Sequence, residues 1–331
     1  MTAAPKLAIL GAGSWGTALA IQLAQRHPVV LWGHQTATIQ AYQAASENTR
    51  YLPGITFPPA LQLTADLAEA VQHATEVMLV VPSHAFAATC DLVARQVPDL
   101  PAISWATKGL EPEHNQLLSE VAQRYFPSAA LAMLSGPTFA QEVARGLPTA
   151  VTLAAPDQAY RERLAQTLHN EHFRVYTTDD LTGVQLGASC KNVMAIAAGI
   201  ADGLGFGANA RAALITRGLA EITRLAVALG GRNETLMGLA GLGDLSLTCT
   251  DNQSRNRQMG LAIAQGQTID QAKTQIGQAV EGVATTREVH CKAQALGIDM
   301  PITEQVYRVL YQAVEPRIAV SALLGRAGRA E

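Results

Sequence analysis

The chain has 331 residues, 48% of them hydrophobic and 15% charged, and this composition excludes a disordered protein. A chain of this length favours two domains with large buried cores. The 24 basic and 27 acidic residues give a formal net charge of −3. This balance argues against a broad surface for nucleic acid and still permits a small basic pocket.

The N-terminal residues MTAAPKLAILGAG lack a basic segment followed by a separate apolar stretch, so they do not resemble a secretion signal. No run approaches the roughly 20 apolar residues of a membrane span, and we expect no integral membrane segment. The cysteines are far apart and lack a C-x-x-C spacing: Cys90, Cys190, Cys249 and Cys291. Reduced thiols in a cytoplasmic globular protein are the expectation.

In the first half of the chain, short apolar runs alternate with segments of helical periodicity. The predicted strands are residues 7–10, 29–32, 77–81, 102–105, 130–134, 150–153 and 174–176. Helices are predicted between several of them, at residues 17–25, 85–95 and 158–168. This alternation predicts an α/β domain with a parallel sheet covered on both faces, with antiparallel strands admitted at the later edge.

The second half reads as helices throughout. They are predicted at residues 184–201, 211–228, 256–265, 268–275, 285–296 and 304–311, and the tail from Leu323 is expected to fray. Glycine clusters at 203–207 and 238–243 predict loops or close approaches of backbone, since glycine disfavours helix interiors. We therefore predict two domains: an α/β domain of residues 1–179 and an all-helical domain of residues 180–331.

A glycine-rich turn follows the first predicted strand and opens the first helix. Its sequence is Gly11-Ala-Gly13-Ser-Trp-Gly16, the G-x-G-x-x-G pattern in its required context. The pattern predicts a tight turn at Gly11, approach of a diphosphate at Gly13 and close helix packing at Gly16. An ordinary strand-to-helix turn is the alternative.

The end of the second predicted strand carries no acid that would bind a ribose 2′-hydroxyl. The sequence Val-Val-Leu-Trp-Gly-His34 permits NADP as well as NAD. His34 has two interpretations, a neighbour of a cofactor phosphate or an exposed loop histidine.

Four further motifs follow along the chain. They are Trp105-Ala-Thr-Lys108-Gly-Leu, Ser135-Gly-Pro-Thr138-Phe-Ala140, Leu186-Gly-Ala-Ser-Cys-Lys191-Asn192-Val and Gly241-Leu-Gly-Asp244-Leu-Ser-Leu-Thr248, the last leading to Ser254-Arg-Asn-Arg257. With the glycine turn, they resemble the bacterial type of NAD(P)-dependent glycerol-3-phosphate dehydrogenase over essentially the whole chain. There are small departures from the family pattern at Thr138, Gln185 and Arg211.

The resemblance implies a Rossmann domain followed by an all-α domain like that of 6-phosphogluconate dehydrogenase. It also implies interconversion of dihydroxyacetone phosphate and sn-glycerol 3-phosphate for phospholipid synthesis, with NADP or NAD, no metal, a small phosphorylated three-carbon substrate and a homodimer. Matching positions imply that Lys191 is the proton acceptor. They imply the substrate residues Lys108, Gly136, Thr138, Lys191, Asn192, Asp244, Thr248, Ser254, Arg255 and Asn256. They imply the cofactor residues Gly11, Gly13, Ser14, Trp15, Gly16, His34, Lys108, Ala140, Arg255 and Glu281.

The chemistry of the reaction has the same requirements, because oxidation of a secondary alcohol needs a hydride acceptor at the carbon and a base at the hydroxyl. A lysine acts as a base for a secondary alcohol only if its pKa falls well below the free value of about 10.4. Cationic neighbours such as Lys108 and Arg255 would lower it and Asp244 would oppose them, so the balance stays open. Lys191 has no acid near it in sequence, and a solvated helix lysine is the alternative.

Other assignments also have structural alternatives. Ser254, Asp244 and Glu281 are candidate helix caps. His169 and His172 imitate a metal pair without a third ligand, and Cys190 lacks a neighbouring histidine. At the level of the protein, the alternatives are another two-domain hydroxyacid dehydrogenase and a non-catalytic dinucleotide sensor.

Overall fold

A computed structural model describes residues 6–325 of the chain, which divide into two units. The first unit comprises the chain up to Glu111 together with Gln116–Leu181. The second comprises Pro112–Asn115 and the chain from Thr182 on. Of the predicted frayed tail, Leu323 and Leu324 close the last helix, and the positions after 325 lie outside the described residues.

Strands and helices alternate along the first unit. Its strands are β1 (Leu7–Leu10), β2 (Val29–Trp32), β3 (Glu47–Asn48), β4 (Leu52–Thr56), β5 (Leu61–Thr64), β6 (Glu76–Leu79), β7 (Ala102–Trp105), β8 (Ala130–Ser135), β9 (Thr149–Ala154) and β10 (Phe173–Thr178). Its helices are α1 (Ser14–Leu23), α2 (Thr36–Ala45), α3 (Leu67–Val71), α4 (Ser83–Gln96), α5 (Leu118–Tyr125), α6 (Ala140–Ala144) and α7 (Gln158–Leu168).

Eight of these strands form one sheet in the order β5-β2-β1-β6-β7-β8-β9-β10. Neighbours are parallel except β8 and β9, which pair antiparallel, while β3 and β4 form a separate antiparallel pair. The predicted parallel sheet with an antiparallel pair near its later edge is confirmed. Strand order reverses between β1 and β6, and open α/β sheets bind ligands at such a point, outside the carboxyl ends of the strands.

The core of this unit lies between sheet and helices. Leu7 and Ile9 of β1 are each 1% exposed and belong to the same apolar cluster as Ala18 and Leu19 of α1 and Leu31 of β2. The wholly apolar strands β1 and β2 were predicted with their observed bounds because both faces of each strand are buried.

Several elements of the first unit were missed or were predicted with other bounds. The edge strand β5 has exposed or half-buried positions at Gln62 and Leu63, so it lacks the continuous apolar run of the central strands. Strand β6 begins at Glu76, one residue earlier than predicted, because a buried carboxyl interrupts the apolar pattern there. The helices α2, α3, α5 and α6 are short or largely exposed, and their periodicity is correspondingly weak.

The described part of the second unit contains helices and no strand. They are α8 (Leu181–Gly203), α9 (Gly207–Ala228), α10 (Asn233–Leu236), a π-helical turn (Leu239–Gly243), α11 (Asp244–Thr250), α12 (Arg255–Ala264), α13 (Ile269–Ile276), α14 (Glu281–Ala295), α15 (Pro301–Tyr311) and α16 (Pro316–Leu324). The all-helical prediction is confirmed. The glycine cluster at 203–207 is a turn. The cluster at 238–243 forms the π-helical turn, and it contains the close approach of backbone given as the alternative to a loop, because a Cβ on Gly241 would lie 2.0 Å from the Leu236 carbonyl oxygen.

Helix α8 is long and apolar enough to cross a membrane by length and composition, which the sequence prediction did not recognise. Its 18-residue apolar window has a mean hydropathy of 1.2, and all of that window is buried inside the protein. Helix α8 is therefore a central core helix, buried among the other helices.

Glycines bring α8 and α12 into backbone contact. A Cβ on Gly199 would lie 2.1 Å from the carbonyl oxygen of Arg257, and one on Gly260 would lie 2.1 Å from that of Ile196. No larger side chain fits at either position without separating the helices. This contact fixes how the residues of α8 face the first turn of α12.

Candidate active site

The turn after β1 leaves open space in front of α1. Gly11 has φ +128°, and a Cβ on Gly16 would lie 1.9 Å from the Gly11 carbonyl oxygen, so the turn needs both glycines. A Cβ on Gly13 would meet nothing within 4 Å. No side chain caps the helix that begins at Ser14, so its N-terminus can accept an anion. These features fit the diphosphate of a dinucleotide.

Two further positions at this end of the sheet bear on the cofactor. The indole Nε1 of Trp15 is buried and has no hydrogen-bond partner among the described residues. Strand β2 ends at Trp32, followed by a buried Gly33 and an exposed His34. Because no carboxylate occupies the end of β2, this strand presents no group that would repel a 2′-phosphate.

The carboxyl ends of β7 and β8 carry the remaining candidates of the first unit. Lys108 lies three residues beyond β7 and is half-buried. Gly136 follows β8 directly with φ +150°, and the Thr138 hydroxyl donates to its carbonyl oxygen at 3.1 Å. Ala140 is the first residue of α6. All four follow carboxyl ends of strands, as the glycine turn does.

Lys191 lies on α8 and is 6% exposed. Its Nζ donates to Asp244 Oδ1 at 2.5 Å and to Thr248 Oγ1 at 2.9 Å. Asp244 is 1% exposed, and the Thr248 hydroxyl donates in turn to its backbone carbonyl at 2.6 Å. The alternative of a solvated helix lysine is wrong, because the acid partner, absent nearby in sequence, comes from α11.

The residue after Lys191 belongs to a second polar group. Asn192 is 3% exposed, and its Oδ1 accepts a hydrogen bond from Asn256 Nδ2 at 2.9 Å. Asn256 Oδ1 accepts from the backbone N–H of Gly282 at 2.9 Å. Three helices, α8, α12 and α14, therefore meet at these side chains.

Besides Asn256, the start of α12 carries two more of the predicted substrate residues. Ser254 caps this helix, its hydroxyl accepting from the Arg257 backbone N–H at 3.2 Å, as one interpretation predicted. Arg255 is the first helical residue and is half-buried. Its Nη1 lies 3.4 Å from Gln278 Oε1, a long and weak hydrogen bond.

The caps predicted as alternatives for Asp244 and Glu281 are wrong. Each is the first residue of its helix, α11 and α14, and the N-cap positions belong to Gly243 and Val280. A carboxylate in the first turn still interacts favourably with the helix dipole. Glu281 is half-buried beside Gly282, whereas Asp244 is fully engaged with Lys191.

Asp202 is the residue that sequence reasoning undervalued. It lies near the end of α8, and no role was predicted for it. Its carboxylate accepts from Arg257 Nη2 at 2.6 Å and from Arg211 Nη1 at 2.9 Å. A lone acid in a long apolar helix is a signal for a buried ion pair. Here the ion pairs of Asp202 tie the first turn of α12 to α8 and α9.

The structure gives little support to the two other candidate chemistries, a nucleophilic Cys190 and a metal pair at His169 and His172. Burial raises the pKa of the Cys190 thiol to about 12, which disfavours the thiolate that a nucleophile requires. His169 Nδ1 accepts a hydrogen bond from the Val175 backbone N–H at 3.3 Å, so the ring nitrogen serves a local turn.

A nucleotide-binding type of parallel sheet followed by a helical unit with a buried, hydrogen-bonded lysine defines the class of two-domain NAD(P)-dependent dehydrogenases. Family models for the N-terminus and C-terminus of NAD-dependent glycerol-3-phosphate dehydrogenase match residues 6–161 and 180–321. The chain belongs to the NAD-dependent glycerol-3-phosphate dehydrogenase family.

Individual relatives agree with this assignment. The chain is 52% identical to a glycerol-3-phosphate dehydrogenase [NAD(P)+] of Aliivibrio fischeri, over 98% of this chain and 96% of that protein. It is 55% identical to one of Thioalkalivibrio sulfidiphilus, over 97% of both chains. A crystal structure of glycerol-3-phosphate dehydrogenase from Coxiella burnetii matches with a TM-score of 0.95 and 48% identity, covering 98% of this chain and 99% of that one.

Proposed function

We propose that this chain interconverts dihydroxyacetone phosphate and sn-glycerol 3-phosphate with NADP or NAD, and that it supplies glycerophospholipid synthesis. The observation that carries the proposal is the buried Lys191, held by Asp244 and Thr248, in a chain about half identical to enzymes of that name. In this proposal, residues 1–179 bind the dinucleotide and residues 180–331 carry the proton-transfer group.

Eight of the ten proposed cofactor residues belong to the first unit, and the other two, Arg255 and Glu281, belong to the second. The open space at Gly13, the uncapped N-terminus of α1 and the unpaired Trp15 Nε1 support a diphosphate bound at this turn. We assign the cofactor residues Gly11, Gly13, Ser14, Trp15, Gly16, His34, Lys108, Ala140, Arg255 and Glu281. When bound, the nicotinamide ring supplies or accepts the hydride. The missing acid at the end of β2 supports use of both cofactors.

Lys191 holds the proton that the reaction moves. In the direction of reduction, its ammonium donates a proton to the C2 carbonyl oxygen as that carbon gains a hydride, and the C=O double bond becomes a C–OH group. In the direction of oxidation, the neutral amine takes the hydroxyl proton. Asp244 and Thr248 hold Nζ in one position through both directions, which is what orientation of a catalytic group requires.

The substrate phosphate and hydroxyls require charged and polar contacts. Arg255 suits the phosphate because its planar guanidinium can donate two parallel hydrogen bonds. Lys108, which belongs to the first unit, is a second positively charged candidate. We assign the substrate residues Lys108, Gly136, Thr138, Lys191, Asn192, Asp244, Thr248, Ser254, Arg255 and Asn256. Together they allow a chain of net charge −3 to bind an anionic substrate.

The direct test is a spectrophotometric assay of NADPH and NADH oxidation with dihydroxyacetone phosphate. We expect turnover, with measurable activity for NADPH. If neither NADPH nor NADH is oxidised, the proposed function is wrong. If NADPH is essentially inactive and NADH is used, only the prediction of dual cofactor use is wrong.

We also propose a cytoplasmic homodimer. Members of the family often form dimers, and the helices of the second unit are rich in alanine. Apolar side chains are also exposed there, such as Phe206 and Ile318, which are 40% and 56% exposed. Light scattering coupled to size exclusion should give twice the 34.9 kDa chain mass. A mass of one chain at micromolar concentration would refute the dimer.

A further inference from the structure

Asn48 is a buried amide that connects the short strand β3 to the glycine turn after β1. The residue is 0% exposed. Its Nδ2 donates to the Ala12 carbonyl oxygen at 3.2 Å and to Thr17 Oγ1 at 2.8 Å. Its Oδ1 accepts from the Tyr51 backbone N–H at 2.9 Å. Asparagine is rarely buried to this extent, and a buried amide is costly unless its hydrogen bonds are made. These three bonds are therefore what allows the amide to lie here.

Two backbone groups determine which end of the Asn48 amide faces which neighbour. The Tyr51 N–H can only donate, so the atom of Asn48 beside it is the oxygen. The Ala12 carbonyl can only accept, so the atom beside it is the nitrogen. Exchange of the amide oxygen and nitrogen would break both of these bonds, so the orientation does not depend on how the amide was first placed.

The bond to Ala12 sets the direction of the next backbone N–H. A trans peptide unit is planar, and its C=O and N–H groups point in opposite directions. Because the Ala12 carbonyl is turned toward Asn48, the N–H of Gly13 is turned away from it. This N–H has no hydrogen-bond partner among the described residues, and a Cβ on Gly13 would meet nothing within 4 Å. The turn therefore offers a free donor beside the open space in front of α1.

A glycine at position 13 makes such a restraint useful. A flip of the peptide between Ala12 and Gly13 would exchange the carbonyl oxygen and the N–H, and glycine tolerates the altered backbone angles better than any other residue. In the flipped peptide, the carbonyl oxygen would face the open space and repel a diphosphate, whereas the N–H attracts one. The hydrogen bond from Asn48 is available only to the peptide that is not flipped. It therefore favours the state that binds an anion.

We infer that Asn48 is a positioning residue for the cofactor: it holds the Ala12 carbonyl and so keeps the Gly13 N–H directed at the diphosphate. This inference deepens the proposed function and rests on it. Asn48 acts through the backbone of the turn, since its own hydrogen bonds go to the protein. A merely structural role, in which Asn48 only fastens β3 to the turn and α1, predicts a loss of stability with an unchanged affinity for the cofactor.

Three variants separate the direction of the peptide from the stability of the fold. Asn48→Leu makes none of the three bonds. Asn48→Asp preserves the volume and still accepts from the Tyr51 N–H, but its carboxylate cannot donate to Ala12. Thr17→Val is the matched control, because it removes a buried hydrogen bond of the same amide and leaves the bond to Ala12 in place. Thermal unfolding of each variant measures the loss of stability, and binding is measured well below each melting temperature.

The first test measures the Kd of the cofactor by fluorescence, with whichever of NADPH and NADH the wild type binds more tightly. We expect Asn48→Leu and Asn48→Asp each to raise the Kd by about tenfold or more, and Thr17→Val to raise it by less than about threefold. An equal rise in Thr17→Val and Asn48→Leu means that stability alone is responsible and overturns the inference. A rise in Asn48→Asp without one in Asn48→Leu assigns the effect to the added charge and also overturns it.

The second test observes the Gly13 N–H in the wild type, so it does not require a variant of Asn48 to fold. Labelling with carbonyl-¹³C alanine and ¹⁵N glycine selects each glycine that follows an alanine, which are Gly13, Gly199, Gly241 and Gly328. The Gly13 signal is the one that disappears in Gly13→Ala. We expect the oxidised cofactor to move the N–H proton of Gly13 to lower field, because a charge-assisted hydrogen bond to an anion is short. The movement should be smaller in Asn48→Asp.

The two tests distinguish the inference from the function on which it rests. A Gly13 signal that stays in place while the wild type binds the cofactor overturns the inference and leaves the proposed function intact. A wild type that binds neither NADPH nor NADH fails at the proposed function itself.

Discussion

Lys191 and Asp244 form a buried ion pair with an N···O distance of 2.5 Å, although 53 positions separate them in the chain. Their side chains are 8% and 1% exposed. The pair joins the central helix α8 to α11, and Thr248 on the next turn of α11 accepts from the same nitrogen. The group that is proposed to move the proton is thus also a structural link within the second unit.

Lys191→Met should lower kcat by about 10²–10⁴-fold, because general acid–base catalysis by a positioned side chain is typically of that size. Binding of NADPH, measured by fluorescence, should stay close to that of the wild type, since the glycine turn belongs to the first unit. A kcat near the wild-type value would show that another group moves the proton.

Asp244→Asn should destabilise the second unit, because it leaves the Lys191 ammonium buried without its counter-charge. Removing one partner of a buried pair costs about 3–5 kcal/mol. Adding Lys191→Met to Asp244→Asn should restore much of this loss, since both charges are then absent. Denaturant unfolding of the two single variants and the double variant measures the coupling, and strictly additive effects would contradict the pair's importance.

Arg255→Ala should mainly raise the KM for dihydroxyacetone phosphate, with a smaller effect on kcat, because its proposed partner is the phosphate away from the reacting carbon. Each charge-assisted hydrogen bond contributes about 1.5–3 kcal/mol, so a rise of roughly tenfold or more is expected. Arg255→Lys should recover only part of this, since it keeps the charge and loses the planar fork. Full recovery by lysine would indicate that charge alone matters.

The sequence predicted the sheet and the helical half well, because both depend on continuous apolar patterns. Strand β1 and helix α7 were predicted with their observed bounds. Elements whose stability comes from tertiary contacts were missed, among them the half-exposed strand β5 and the one-turn helix α10. The π-helical turn was predicted as a loop or a close approach of backbone because its glycines disfavour helix on propensity alone, and only the close approach is confirmed, at Gly241.

The site was predictable in its parts and not in its connections. Motifs indicated Lys191 and Asp244 separately, but their ion pair depends on how α8 and α11 pack. Asp202 illustrates the same point, since its two arginine partners come from α9 and α12. Gly282 appeared in sequence only as a neighbour of Glu281, and its N–H gains meaning once Asn256 lies beside it.

Gly13→Ala provides a matched test of the glycine turn. The fold should tolerate this change, because the added Cβ meets nothing within 4 Å and φ is −79°. The methyl group would occupy the open space where we expect the diphosphate. We therefore expect an unchanged melting temperature and a Kd for NADPH raised by about tenfold or more.

The control for this variant is Gly16→Ala. Its Cβ would lie 1.9 Å from the Gly11 carbonyl oxygen, so it should lower both the melting temperature and cofactor binding. If Gly13→Ala binds NADPH as well as the wild type, the diphosphate does not approach the turn at Gly13.

Glu76 gives the first unit a pH-dependent stability. Burial raises the pKa of this carboxyl from 4.5 to about 7, and hydrogen bonds from Tyr160 and Ser104 oppose the rise. Between these two values the folded protein holds a proton that the unfolded chain has released. The contribution of Glu76 to stability is therefore fully present below pH 4.5, falls as the pH rises, and is lost above about 7.

Glu76→Gln should remove this dependence. Relative to the wild type, the variant should gain about 3 kcal/mol in free energy of unfolding as the pH is raised through this window. Urea unfolding of the first unit at several pH values measures the difference, and Glu171→Gln, at an exposed position of the same unit, serves as the control. A constant difference between wild type and Glu76→Gln across the window would mean that Glu76 has the same pKa in the folded and unfolded chains.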